Sequence, residues 1–224
     1  MAFTFTTDQE TTHFRSNPLL IAYVVIFTAF WAYTGFTTSD SKNWWLENTL
    51  TFTAIIFLVA FYKHFRFSDF SYTCIFLFLM LHAYGAQHTY AQNPFGFWVQ
   101  DQLQLERNHY DRLVHFGFGF FLAYPMNEVF WRLTSMRPFF TYALPVDLTV
   151  SLGAFYELME WSVADIFFPA QGMAYLGTQG DIWDAQKDIA VALLGALLTM
   201  LAVALSRKKK RGKPVSRPVR VKQA

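Results

Sequence analysis

Apolar residues fall into six long runs, at about 18–36, 48–62, 70–87, 113–131, 143–163 and 185–205, separated by short polar stretches. Five of them come close to the roughly 20 residues that a helix needs to cross the hydrocarbon of a bilayer, and the second is shorter. Lipid cannot satisfy an open backbone, so runs of this kind predict helices. The expected fold is all-α: a polytopic bundle of about six transmembrane helices over 18–205, preceded by a short segment 1–17 and followed by a tail 206–224. Pro18 and Pro145 suit a first helical turn, where a missing N–H is harmless. Asp147 would then complement the helix dipole. The seven tryptophans lie mostly near expected helix ends, as interfacial belts require.

Composition supports the same class. Hydrophobic residues make up 54% of the chain and charged ones 15%, against about 25% charged in an average soluble domain. Six spans use up the length and leave no room for a separate soluble catalytic domain. The first apolar run lacks a basic leader and a small-residue cleavage site, so it reads as a retained helix rather than a signal peptide. Cys74 is the single cysteine, so no internal disulfide is expected.

The net charge of +2 conceals an asymmetry. Segment 206–224 holds nine of the 18 basic residues and no acid, leaving nine basic against 16 acidic residues elsewhere. Directly after an apolar helix, such a tail is a topology signal or a lipid-headgroup contact. It lacks the aromatic interleaving of a nucleic-acid site, and no nucleic acid is expected. With the tail in the cytoplasm, six helices put the N-terminus there too. The inner segments then carry Arg15, Lys63, Arg66, Arg132, Arg137 and the tail, and the outer ones only Lys42, Arg107, Arg112 and Lys187. That satisfies the positive-inside rule.

Charged residues at membrane depth are expensive and are functional candidates by default. Here they gather toward the outer ends of the helices. Asp111 and His115 are four apart, Glu157 and Glu160 three apart, and Asp184 and Asp188 four apart, so each pair shares a helix face. At about 1.5 Å rise per residue, the inner members lie roughly 6–9 Å below the helix ends. His82 and His88 reach the same side as additional polar lining, while Glu128 lies near the opposite end and is left out. Gly117, Gly119, Gly153, Ala154, Gly195 and Ala196 would let these helices approach closely. Six carboxylates (Asp111, Glu157, Glu160, Asp181, Asp184, Asp188) converge against two nearby cations, Arg112 and Lys187. Either several keep their protons or a metal ion supplies the missing charge. Oxygen-rich ligands with an imidazole suit manganese, magnesium, iron or zinc. The bland alternative is a polar network that locks helix packing.

Three motifs, Tyr110-Asp111-Arg112-Leu113-Val114-His115-Phe116, Glu157-Leu158-Met159-Glu160-Trp161 and the stretch from Gly177 through Asp181, Trp183 and Asp184 to Asp188, resemble the YjdF family. These are small bacterial inner-membrane proteins classed as a domain of unknown function. The likeness runs from about residue 20 to 205. It implies a polytopic bacterial inner-membrane protein and brings no reaction with it. From Glu157 to Gly195 the chain is also similar, more weakly, to VanZ-like membrane proteins, some of which are linked to glycopeptide-antibiotic tolerance. It lacks an asparagine in the helix after the second aspartate of that pattern, and no residue role is carried over.

Three functions follow as expectations. In the first, a divalent metal is held by His115, Glu157, Glu160, Asp181, Asp184 and Asp188, with Asp111 as general base and Arg112 or Lys187 steadying an anion. This would be a hydrolase or transferase acting on a lipid or envelope-derived substrate. No His-Glu-x-x-His, Glu-x-x-His, Gly-x-Ser-x-Gly or phosphate-loop motif is present, so this reading rests on the constellation. In the second, the acids carry a proton or cation across the membrane. In the third, the protein is structural and docks a partner through the aromatic loop 90–109.

Overall fold

The computed structural model describes residues 13–167 and 178–211, with side chains as far as Lys208. Among these residues there is no strand. A short 3-10 turn, Phe14–Ser16, leads into seven helices: α1 Pro18–Thr37, α2 Ser41–Phe61, α3 Asp69–Gln87, α4 Pro94–Leu103, α5 Tyr110–Leu133, α6 Pro138–Ser162 and α7 Asp184–Arg211. A five-residue π-helical turn, Val163–Phe167, extends α6. Expected segments 1–17 and 206–224 fall partly outside the described residues, and α7 runs past its expected end at residue 205.

Local signals explain most of the starts. Asn17 accepts from the Leu20 N–H at 2.9 Å with Pro18 at the first position of α1. Asp40 accepts from the Asn43 N–H at 3.0 Å and so starts α2 at Ser41, seven residues before the apolar run expected at 48. Ser68 caps α3 through the Ser71 N–H, and Asn93 caps α4.

Two further expectations are corrected. Pro138, not residues near 143, opens α6. Pro145 therefore lies inside the helix, and Asp147 sits mid-helix with an exposed side chain rather than in a first turn. Trp31 and Trp44 do not form an interfacial belt; their indole N–H groups donate to Asn48 (2.6 Å) and Thr34 (3.1 Å), tying α1 to α2.

α5 is the central helix and packs on α3, α6 and α7; α1 and α2 pack on α3. The α5–α7 contact is the closest. A methyl at Gly119 would run into the Ala192 carbonyl, and one at Gly195 into the backbone of Phe116 and Phe120. Ala192 and Ala196 are fully buried, and the Thr199 hydroxyl donates across the seam to the Phe120 carbonyl at 2.6 Å. Gly117 meets the Leu81 side chain of α3 instead, and Gly153 meets nothing within 4 Å.

Among the described residues, much of the interior is polar and much of the surface is apolar. Its largest fully buried side chains include His82, Asn48, Asn93, Asn108, Asn127 and Asp188, while Phe36, Ile56, Val59 and Phe139 are more than two-thirds exposed. Water would not tolerate that surface, and lipid requires it. Three helices are long and apolar enough to cross a membrane by themselves: Pro18–Thr37, Ser41–Phe61 and Asp184–Lys208. Helices α3, α5 and α6 are of similar length and less apolar.

Each end of the bundle holds a polar cluster. At the end carrying Arg66, Arg132 and Arg207, Glu128 accepts from the Ser68 backbone N–H (2.9 Å), the Ser68 hydroxyl (2.8 Å), the Ser71 hydroxyl and Arg132 (2.7 Å). Arg207 donates to Asn127 at 2.8 Å and lies over the Trp131 ring. The opposite end carries the acids and histidines.

Candidate functional site

The site at the acidic end has two tiers. The upper tier is a clamp between the loop before α5 and the segment before α7. Gln179 makes a reciprocal pair with the Asn108 backbone, accepting from its N–H at 3.0 Å and donating to its carbonyl at 2.9 Å. Asn108 in turn caps toward Tyr110 and donates to the Asn93 carbonyl. The clasp holds Arg107 over α7, where it forks onto both oxygens of Asp184 at 2.6 and 3.1 Å and donates to the Thr178 carbonyl at 3.0 Å. Arg112 reaches Asp181 at 2.5 Å and Asp184 at 3.1 Å, and Lys187 reaches Asp181 at 2.6 Å. Asp181 also accepts from the Trp183 N–H. The Lys187 ammonium first, and then that N–H, hold the Asp181 carboxyl well below the usual range. His109 Nδ1 accepts from the Arg112 guanidinium at 3.2 Å, and burial and then the Arg112 and Arg107 charges push its pKa down, favouring the neutral ring.

The lower tier lies deeper, among α5, α6 and α7. Asp111, His115 and Asp188 each offer a ligand atom, and those atoms all lie within 4.8 Å of one another. His115 Nε2 stands 3.6 Å from Asp111 and 3.4 Å from Glu157. Glu157 Oε1 and Asp188 Oδ1 are buried with no hydrogen-bond partner, the latter 3.9 Å from Arg112 Nε. Glu160 joins Asp111, Glu157 and Asp188 in lining a polar cup of about 460 Å³.

The sequence-predicted residues thus divide. Asp111, His115, Glu157, Glu160 and Asp188 come together. Asp181 and Asp184, expected as metal ligands, are instead engaged by three cations. Arg112 and Lys187, expected to receive an anion, are bonded to those same carboxylates. The charge deficit is smaller than expected because Arg107, taken as an outer-loop charge, folds inward. His82 lines the apolar side of the site with its Nδ1 2.5 Å from the Tyr90 hydroxyl and its Nε2 unpartnered. His88 is not part of the group and packs edge-on against Tyr84.

Sequence reasoning missed Glu47, which is buried and accepts from the Tyr156 hydroxyl at 3.1 Å. The Asp40 cap, placing Glu47 two turns into α2, was the signal that could have found it. It also missed Arg107 and Gln179, whose roles depend on a loop contact between residues 71 apart.

A family profile described as "Predicted membrane protein (DUF2238)" matches residues 19–209. The chain is 37% identical over 191 residues to "Inner membrane protein YjdF" of Escherichia coli (strain K12), covering 84% of this chain and 90% of that protein. No solved structure matches the chain.

Proposed function

Because the chain belongs to the DUF2238 family of predicted membrane proteins, we propose that it is a bacterial inner-membrane protein working as a metal-dependent hydrolase or transferase. In this reading α1, α2, α3, α5, α6 and α7 span the bilayer. At 10 residues, about 15 Å, α4 is too short to do so. Both termini are cytoplasmic, 1–17 and the basic tail 206–224 flank the membrane domain 18–205, and the acidic end faces outward. The distribution of lysine and arginine supports that orientation.

One observation carries the chemistry: the ligand atoms of Asp111, His115 and Asp188 lie within 4.8 Å of one another, and two of the three residues, Asp111 and Asp188, line the polar cup. Ligand atoms about 2.0–2.4 Å from one ion lie within roughly 4.8 Å of each other, so two carboxylates and an imidazole at this spacing fit a divalent cation. The unpartnered Asp188 Oδ1 fits it too, since a buried carboxylate oxygen without a donor is costly. A bound cation would acidify a coordinated water and polarise an ester or phosphoryl oxygen. Glu157, with a free oxygen facing His115, would accept the proton. Glu160 shapes the cup, and the Arg107–Arg112–Lys187 clamp holds α7 so that Asp188 stays in register. The substrate would be a lipid or an envelope-derived molecule reaching the outer side.

Elemental analysis by mass spectrometry of full chain purified in mild detergent, beside Asp188→Asn, tests this. Near-stoichiometric divalent metal that disappears in the variant is expected. Negligible metal in both, with the protein folded, overturns it. A second reading, proton or cation transport, is favoured by His115 standing between Asp111 and Glu157, an arrangement suited to passing a proton. Proteoliposome flux that depends on Glu157 would distinguish it.

A further inference from the structure

A cavity of about 320 Å³ adjoins the acid/His group, enclosed by α2, α3, α5 and α6. Its walls are mainly apolar, with Leu50, Phe78, Val114, Phe118 and Leu152 among them, and Asp111 and His115 stand at one side. Asp111 also lines the polar cup. A polar compartment and an apolar one therefore meet at a single carboxylate.

Gly153 points to an occupant. Glycine inside a helix costs about 1 kcal/mol relative to alanine, so it calls for a reason. At Gly85, Gly96, Gly117, Gly119 and Gly195 the reason is a neighbour that a methyl would strike. At Gly153, in the middle of α6, a Cβ would meet no atom within 4 Å, although the residue is buried and lines this cavity. Among the described residues no atom fills this space.

Between α2 and α6 the cavity is lined by residues that also reach the surface. Helix α2 packs on α3, and the Tyr156 hydroxyl bridges to Glu47 near the acidic end of the gap between α2 and α6. Thr53 on one rim, and Leu152, Phe155 and Met159 on the other, are exposed on the lipid-facing surface. A transmembrane helix, about 10 Å across, is too wide for a slot of this volume. A flexible hydrocarbon chain is not. On the inner wall, the His82 ring is held by the Tyr90 hydroxyl at Nδ1.

We propose that this slot binds one acyl chain of a membrane lipid, which enters sideways between α2 and α6 and brings its polar linkage to Asp111 and His115. The proposal deepens the hydrolase or transferase reading by naming its substrate class, and the binding step does not require a metal. Bilayer lipid is an abundant source of such chains, and a protein solvated in it through a lateral gap needs no other route of supply.

The test uses full chain in vesicles of phosphatidylethanolamine and phosphatidylglycerol, with a fraction of the phosphatidylglycerol carrying a diazirine on its acyl chain. After illumination, labelled residues are mapped by mass spectrometry. Annular lipid reaches only the exposed surface, so the informative positions are Phe78 and Val114, which are buried. Labelling there is expected in the wild type, competed by unlabelled phosphatidylglycerol. It should persist in Gly153→Ala. It should fall about tenfold in Gly153→Leu, the equivalent of losing roughly two buried methylenes of chain contact. The competition in the wild type stands even if the leucine variant folds poorly. Labelling confined to exposed residues, or unaffected by both competitor and Gly153→Leu, overturns the proposal. Metal content read in parallel separates the two claims. Buried, competable labelling in a metal-free protein supports the slot and removes the metal centre; metal without buried labelling overturns the slot and leaves the metal centre standing.

Discussion

Glu128 and Asp188 are both buried carboxylates near opposite ends of one bundle, and their surroundings differ in kind. Glu128 accepts from one backbone N–H, two hydroxyls and a guanidinium, all within α3, α5 and the turn before α3. Its charge is neutralised and its lone pairs are used, so it works as a bolt between helices. Asp188 faces Asp111 and His115 and has one oxygen with no donor. Such an arrangement loses stability in the empty protein, and proteins retain it where something is bound or transferred. Both are buried carboxylates; the difference is whether every oxygen has a hydrogen-bond donor.

The comparison can be broken by substitution. The largest effect belongs to Glu128→Ala, which strands Ser68 and Arg132 at the basic end. Thermal unfolding in detergent should show a loss of about 3 kcal/mol, because the Ser68 N–H and the Ser68 and Ser71 hydroxyls lose their acceptor together while the exposed Arg132 adds little, with metal content per folded molecule unchanged. Arg107→Ala removes the fork onto Asp184 and should cost about 2 kcal/mol, because a charge-assisted bond is lost and its partner stays buried. The same variant should loosen the segment before α7, seen as faster amide exchange at residues 179–184. Asp188→Asn should do the reverse of Glu128→Ala: stability measured in chelator changes by under about 1 kcal/mol or rises, since a crowded charge is gone, while metal is lost. A stability loss as large as that of Glu128→Ala would make Asp188 another bolt.

The smallest effect is a pH dependence. The folded-state pKa of Asp181 is lowered by Lys187 and the Trp183 N–H. Its contribution is therefore fully present above the unfolded value, near 3.9, and is lost as pH falls through the folded one. Melting temperature should be insensitive to this group from pH 5 to 8 and decline below about pH 4. Asp181→Asn should flatten that acid limb.

The class of fold was legible because lipid imposes it: long apolar runs, a deficit of charge and a one-sided distribution of lysine and arginine survive any rearrangement of side chains. The residues of the lower tier were legible for a similar reason, since helical spacing alone puts Asp111 with His115 and Glu157 with Glu160. What spacing cannot tell is which charge answers which. Arg107 and Gln179 act through a contact between residues 71 apart, and so the clamp that takes Asp181 and Asp184 away from the metal group was hidden. Helix α2 was misjudged because Asn43, Glu47 and Asn48 depress its apolar signal, although each is inside the helix and the latter two are buried. The short α4 lay within what read as a loop. Gly153 was read as a packing residue, yet its meaning is the absence of a neighbour, a property that a linear pattern does not contain.

The clasp between Asn108 and Gln179 has a consequence for how the protein is made. Asp111 and His115 leave the ribosome more than sixty residues ahead of Asp188, so during synthesis the first half of the site is threaded into the bilayer without its counterpart. The clasp forms only once the stretch carrying Gln179 has been made and meets the one carrying Asn108, so the site is completed well after α5 has entered the bilayer. A chain interrupted before that point carries unmatched acids in the membrane, the sort of exposed defect that quality-control proteases recognise.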